Sequence, residues 1–162
     1  MGKLLAERLS CQFIDNEDLY FPKTDANYLF SKPRSKEEVI RILNKMIEQN
    51  PRFVFAAVRG DYGEKLLSAL DAVVLIDVPK EVRLQRVRNR SFQKFGNRML
   101  PGGDLFEKEN AFFETVSNRP EDFVTDWLQT VQCPVIRVDG TLPVENNVEY
   151  FLSLYHRAYR NY

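Results

Sequence analysis

A cluster of acidic side chains follows an apolar run near the start of the chain. Asp15, Glu17 and Asp18 come at or directly after CQFID, residues 11–15, which is predicted to be a short strand. In open α/β sheets ligands bind beyond the carboxyl ends of the strands, where carboxylates can hold substrate hydroxyls or Mg²⁺. A solvated turn in which Asp15 acts as a local cap is the alternative interpretation.

A second candidate site is a segment whose charged residues are all positive. Between Glu81 and Asp104 there is no acidic residue, while six cations occur: Arg83, Arg86, Arg88, Arg90, Lys94 and Arg98. Arg86 and Arg90 are four residues apart, so they share one face of a predicted helix. Guanidinium groups suit phosphate oxygens, so a polyphosphate site is one interpretation of this run. A solvated helix face and an RNA-binding patch remain open as alternatives.

Two strand ends carry further candidates. Asp139, Gly140 and Thr141 follow the last apolar run and could rim the pocket of a nucleotide base, although a simple strand-to-helix turn would use the same residues. Arg59 and Asp61 follow another apolar run, where a charged pair could contact substrate or only fix a turn.

Composition narrows the classes of function. Lys plus Arg and Asp plus Glu each number 23, so no overall field draws the chain to nucleic acid or membrane. Cys11 and Cys133 are far apart and accompany the single His156, which argues against a zinc site and against hydrolase triads. No metal ligands are predicted. Because no 18-residue apolar stretch or secretion signal occurs, we expect a cytoplasmic protein.

The elements that must position these residues alternate between strand and helix. FVFAAV, residues 53–58, and AVVLIDV, residues 72–78, are continuous apolar runs typical of parallel strands covered on both faces. A capping box at Ser35 predicts a helix to about residue 50, and residues 16–34 are predicted to be a loop or lid. The pattern predicts one α/β domain over residues 1–162, a three-layer, mostly parallel sheet flanked by helices.

The remaining predicted segments complete that order. They are helices at residues 2–9, 64–70, 80–94, 106–116, 121–131 and 143–157, a strand at 134–138, and a Gly- and Pro-containing loop at 95–104. The part around residues 90–120 is predicted to form a lid-like insertion.

Several of these pieces resemble the adenylate-kinase-like and shikimate-kinase-like P-loop kinases. They are LAERL followed by FIDNED, FVFAAV, VVLIDVP followed by VRLQRVRNR, FGNRMLPGGD, and PVIRVDGTLPVE, and they span nearly the whole chain. The resemblance implies sheet order 2-3-1-4-5, ATP and Mg²⁺ as cofactors, and transfer of the γ-phosphoryl group to a small acceptor.

The resemblance also implies roles for individual residues. Asp15 and Glu17 resemble groups that bind the phosphoryl acceptor, and Asp18 and Arg59, which also follow strands, are predicted to bind it with them. Arg86 resembles the arginine stacked on the base, Arg90 the one that contacts phosphates, and Arg98 a lid arginine. Asp139 and Gly140 resemble the turn that lines the base, and the adjacent Thr141 is predicted to bind the nucleotide with them.

One departure from the family pattern is large. GxxxxGK[ST] does not occur in the sequence, Lys3 lacks the residues that would make it a phosphate-loop lysine, and the strand expected before the first helix is missing. We therefore expect little or no kinase activity, either because the natural start lies upstream or because the chain is a non-catalytic binding protein derived from such a kinase. The strands at 53–58 and 72–78 should then each have an unpaired edge, unless they pair with each other or with a partner.

Overall fold

The structure is a computed structural model and describes residues 1–159. Residues 160–162 of the predicted domain span lie outside this part. In chain order the elements are α1 (Gly2–Leu9), β1 (Gln12–Asp15), α2 (Asn16–Tyr20), α3 (Lys36–Gln49), β2 (Phe53–Ala56), α4 (Glu64–Ser68), β3 (Val73–Asp77), α5 (Lys80–Phe95), α6 (Phe106–Ser117), α7 (Thr125–Leu128), β4 (Val135–Asp139) and α8 (Val144–Tyr159), with 3-10 turns at Gly96–Met99 and Glu121–Phe123.

Local sequence signals explain several of these boundaries. Ser35 caps α3 by accepting a hydrogen bond from the backbone N–H of Glu38, at 3.2 Å, as the capping box predicted. Gly96 ends α5 with a φ of 56°, a conformation that glycine adopts without steric cost. The helix predicted over residues 121–131 is shorter, a 3-10 turn followed by the four residues of α7.

The chain is an α/β protein, as predicted, but its strands form two small parallel sheets instead of one. β1 pairs with β2, with Gln12 opposite Phe53, and β3 pairs with β4, with Val73 opposite Val135. Within the described chain β2 and β3 do not pair with each other. The prediction of a single continuous sheet is therefore wrong, whereas the predicted unpaired edges of these two strands are present.

Helices cover both faces of β2. Phe53 and Phe55 pack against the core under α3, which is centred on Val39, Leu43 and Ile47, whereas Val54 packs on the opposite side. This alternation follows from the period of two residues along a strand.

A second core joins the two sheets to each other. Leu5 of α1 and Phe151 of α8 pack in one cluster with Val54 of β2, Val74 of β3 and Ile136 of β4. The helices α1 and α8 therefore form a common layer across both sheets.

The predicted lid regions differ in their structure. Residues 16–20, expected to be loop, form the short helix α2, while residues 21–35 contain neither helix nor strand. The latter segment packs on the α5–α6 region through Tyr28, whose hydroxyl donates a hydrogen bond to the buried Glu109 at 2.9 Å, and through the ring contact of Phe30 with Phe95.

None of the helices in residues 1–159 has the length and apolar character needed to cross a membrane.

Candidate functional site

The carboxyl ends of β2 and β3 lie at the same edge of the molecule. Arg59 follows β2, and its guanidinium carbon lies 4.7 Å from the centroid of the Phe123 ring. Arg119 stacks on the same ring at 5.2 Å. Burial, and then the nearby charge of Arg83 in α5, lowers the pKa of Arg119. Two guanidinium groups therefore share one aromatic ring, and the charge of a third, on Arg83, acts on one of them.

The turn after β4 is fixed by its own side chains. Asp139 Oδ1 accepts hydrogen bonds from the Thr141 N–H, at 2.8 Å, and from the Thr141 hydroxyl, at 2.6 Å. The backbone oxygen of Asp139 accepts a third from Asn147 Nδ2 at 2.7 Å. Gly140 is buried, and its N–H donates to the backbone oxygen of Asp77 at 2.8 Å. This turn is therefore anchored to both β3 and α8.

Two of the predicted site residues meet at this turn. Arg86 Nη1 donates a hydrogen bond to the backbone oxygen of Gly140 at 2.7 Å. The contact ties α5 to the turn that follows β4, although the two residues are 54 positions apart.

The acidic cluster after β1 is engaged by local contacts. Asp15 caps α2, because its Oδ1 accepts a hydrogen bond from the Glu17 N–H at 2.9 Å, which confirms the local-cap interpretation. Asp18 forms an ion pair with Lys23. Glu17 reaches a different element, since its Oε1 lies 2.9 Å from Nζ of Lys94.

A line of four cations on α5 connects these features, and we call it the basic stripe: Arg83, Arg86, Arg90 and Lys94. Their spacings of three and four residues place them along one side of the helix. Arg83 lies at the Arg119 end, Arg86 holds the Gly140 turn and Lys94 pairs with Glu17. Arg90 is exposed, and no hydrogen bond or ion pair joins it to another described residue. One free guanidinium therefore lies on the stripe between Arg86, which contacts the Gly140 turn, and Lys94, which contacts Glu17.

Arg98 does not join this group. Its Nε and Nη2 atoms contact the two carboxylate oxygens of Asp104 at 2.9 and 2.6 Å. The bidentate pair lowers the pKa of Asp104, chiefly through the hydrogen bond from Arg98. The predicted lid arginine is thus paired within its own loop.

The sequence interpretation missed Arg119, Phe123 and Trp127. Trp127 is 8% exposed, and its Nε1 has no hydrogen-bond partner among the residues that the structure describes. These three residues belong to one short region, but no motif or spacing links them to Arg59 or Arg83. Only the tertiary fold brings them together.

No preformed metal site is evident in the part of the chain described here, since no three His, Cys, Asp or Glu side chains come together there. Mg²⁺ bound through nucleotide phosphates needs fewer protein ligands than such a cluster would supply.

The Asp139 turn should make the free energy of unfolding depend on pH in the acidic range. Its hydrogen bonds to Thr141 lower the pKa of the Asp139 carboxyl below 3.8. A carboxyl whose pKa is lower in the folded than in the unfolded protein stabilises the fold at pH values above the unfolded-state pKa. This stabilisation is lost as the pH falls through the folded-state pKa. The stability advantage of the parent over Asp139→Asn, measured by urea unfolding, should therefore shrink below about pH 4. An advantage that stays constant from pH 7 to pH 3 would contradict this assignment.

Comparison with known proteins yields one relative of this chain. It is 28% identical, over 161 residues, to "Uncharacterized protein YqaC" of Bacillus subtilis (strain 168), a match that covers 94% of this chain and 88% of that protein. No protein-family model matches the chain, and no solved structure matches it.

Proposed function

We propose that this chain is the body of a P-loop-kinase-like phosphotransferase, which in its intact form transfers the γ-phosphoryl group of ATP to a small acceptor. The observation that carries the proposal is the basic stripe. It connects the turn after β4, for which the sequence resemblance implies binding of the base, with the acidic cluster after β1, for which it implies binding of the acceptor. Arg86 holds the Gly140 turn at one end, and Lys94 pairs with Glu17 at the other.

The charges of this region suit a polyphosphate. Arg90 is an exposed guanidinium without a carboxylate partner in residues 1–159, and Arg83 is close enough to Arg119 to lower its pKa. Guanidinium groups that the fold holds near one another repel each other, and a bound anion relieves this repulsion. Each of them can bind two phosphate oxygens at once. ATP would supply the transferable phosphoryl group, and Mg²⁺ would be held mainly by its phosphates.

Each group then has a separate role in the proposed reaction. Asp139, Gly140 and Thr141 line the base with Arg86, and Arg90 binds the phosphates. Glu17 and Asp18 bind the acceptor, with Asp15 holding the short helix that carries both of them. Such positioning and electrostatic stabilisation provide most of the catalysis in phosphoryl transfer.

Removing the charge of Arg90 tests whether this side chain binds the phosphates of the nucleotide. Arg90→Gln should weaken Mg-ADP binding about tenfold, because a charge-assisted contact to phosphate contributes about 1.4 kcal/mol or more. Arg88→Gln, two residues away, is the matched control, since Arg88 lies over the ring of Phe113 at 5.6 Å and outside the stripe. Titration calorimetry should show the control within about twofold of the parent.

The titration should be run on this chain and on a version extended upstream in frame. Binding by at least one form, weakened selectively by Arg90→Gln, supports the proposal. If neither form binds ATP or ADP, the chain is better explained as a non-catalytic binding protein derived from such a kinase. Equal losses in both variants would point to a non-specific effect of net charge.

A further inference from the structure

A slot of about 470 Å³ separates the two sheets. One wall is formed by residues 51–60, which include β2, and the other by residues 70–76, which include most of β3. Leu5 of α1 and Phe151 of α8 line it, together with Leu66 and Trp127. The slot therefore runs between the two sheets, with helices contributing to its lining.

The walls of the slot specify the chemistry of an occupant. β2 pairs only with β1 and β3 only with β4 in the described chain, so each strand turns an edge of unpaired N–H and C=O groups away from its partner. Backbone groups that are shielded from water and left unpaired cost free energy. An apolar small molecule could fill the space but could not bond to either edge. An extended peptide backbone can bond to both at once.

The length and direction of such a strand follow from its neighbours. β2 has four residues and β3 has five, so a segment of about five residues, rising about 3.3 Å per residue, matches them. Arg59, which follows β2, and Arg83, which follows β3, both line the slot together with Trp127, so the carboxyl ends of the two strands lie at the same edge. A strand between them that pairs in parallel with both would end at that same edge.

The helix α1 begins at this edge of the slot. Met1 and Gly2 both line it, and a Cβ built on Gly2 would lie 3.5 Å from Cβ of Ala56, the last residue of β2. At the other end, Arg52 Nη2 donates to the backbone oxygen of Leu9 at 2.9 Å. The helix thus runs antiparallel to β2. A strand-to-helix connection of about two to six residues is usual in α/β folds.

Two buried donors lie among the residues that line the slot. Trp127 Nε1 and Arg59 Nε have no hydrogen-bond partner in residues 1–159, and both residues contribute to the lining. Arg59 Nε does lie 3.8 Å from Oδ1 of Asp61, in an ion pair that is too long for a hydrogen bond. Neither of the two nitrogen atoms can accept a hydrogen bond. Carbonyl oxygens of a chain leaving the slot would supply an acceptor for Trp127 Nε1 and a hydrogen bond for Arg59 Nε.

We propose that the slot holds a fifth strand, an apolar extended segment of about five residues on the amino side of Met1 that pairs in parallel with β2 and β3. The strand would join the two sheets into one five-stranded sheet. The proposal does not depend on the proposed function, because it rests on backbone pairing and not on any ligand.

Hydrogen exchange at the backbone amides of residues 53–56 and 73–77 tests the proposal. The probe is Val-Ile-Val-Ile-Val-Gly-Ser-Gly-Ser fused to Met1 of the full chain. The matched control carries proline at the third position, which removes the central N–H and disfavours pairing within a sheet. In a third sample the unextended chain is mixed with an equimolar amount of the same peptide.

We expect the fused strand to slow exchange at least tenfold in both β2 and β3 relative to the proline control, with the protein monomeric by sedimentation. The separate peptide should have little effect, because only the fused segment has a high effective concentration at the slot. Equal exchange in the fused and proline versions would overturn the proposal. So would full protection of both strands in the unextended chain, equal protection by the separate peptide, or protection that appears only with dimerisation.

Discussion

Replacing Gly140 by alanine is expected to lower the free energy of unfolding by about 2 kcal/mol. An added Cβ would lie 2.4 Å from Cγ2 of Val78, 2.6 Å from Cγ2 of Ile76 and 3.1 Å from the backbone oxygen of Asp77. One of these contacts involves backbone, so the turn itself must shift. That shift should also disturb the hydrogen bond from Arg86 to the Gly140 carbonyl and weaken nucleotide binding in any form of the chain that binds it.

Urea unfolding measures the stability change, and Arg86→Gln separates the two effects. Arg86→Gln removes the guanidinium contact without crowding the turn, so it should weaken nucleotide binding with a much smaller loss of stability. A Gly140→Ala protein as stable as the parent would show that the turn does not pack against β3 as described.

Leu43→Ala is expected to have the largest effect on stability, a loss of about 2 to 5 kcal/mol. Leu43 is fully buried on the inner face of α3, in the core that also contains Val39, Ile47 and Leu66. Truncation removes apolar contacts and leaves a cavity, because the surrounding helices and strands can relax only in part.

The matched control for this change is Arg41→Ala on the exposed side of the same helix. It should change the unfolding free energy by less than about 0.5 kcal/mol, since surface substitutions away from special contacts have small effects. Comparable losses for the two variants would mean that general helix propensity, and not the buried core, determines the stability of α3.

The elements most predictable from sequence were those with strong local signals. The apolar spacing of α3 and the cap at Ser35 identified that helix closely, and the continuous apolar runs identified β2 and β3. Helix α2 was missed because its five residues are too short to show periodicity. For Asp15 the sequence left the capping and binding interpretations open, and the hydrogen bond that its carboxylate accepts from the Glu17 N–H shows that the cap is present.

The candidate site was predictable in part. The arginines of α5 and the Asp139 turn were found from local charge and strand ends, but the contact between Arg86 and Gly140 depends on the tertiary fold. The pairing of Arg98 with Asp104 arises inside a loop, where Gly103 lies so close to Arg98 that a Cβ would be 2.2 Å from its backbone oxygen. Spacing alone does not reveal such a loop geometry.

The open edges of β2 and β3 also bear on the solubility of the chain. Unpaired strand edges are templates on which other chains can add, and proteins normally protect them against aggregation. Here the formal net charge is zero and the isoelectric point is about 6.6, so little long-range repulsion keeps copies apart near neutral pH. A strand that fills the slot would thus cover two aggregation-prone edges in one step, and completing the sheet would keep the protein dispersed as well as folded.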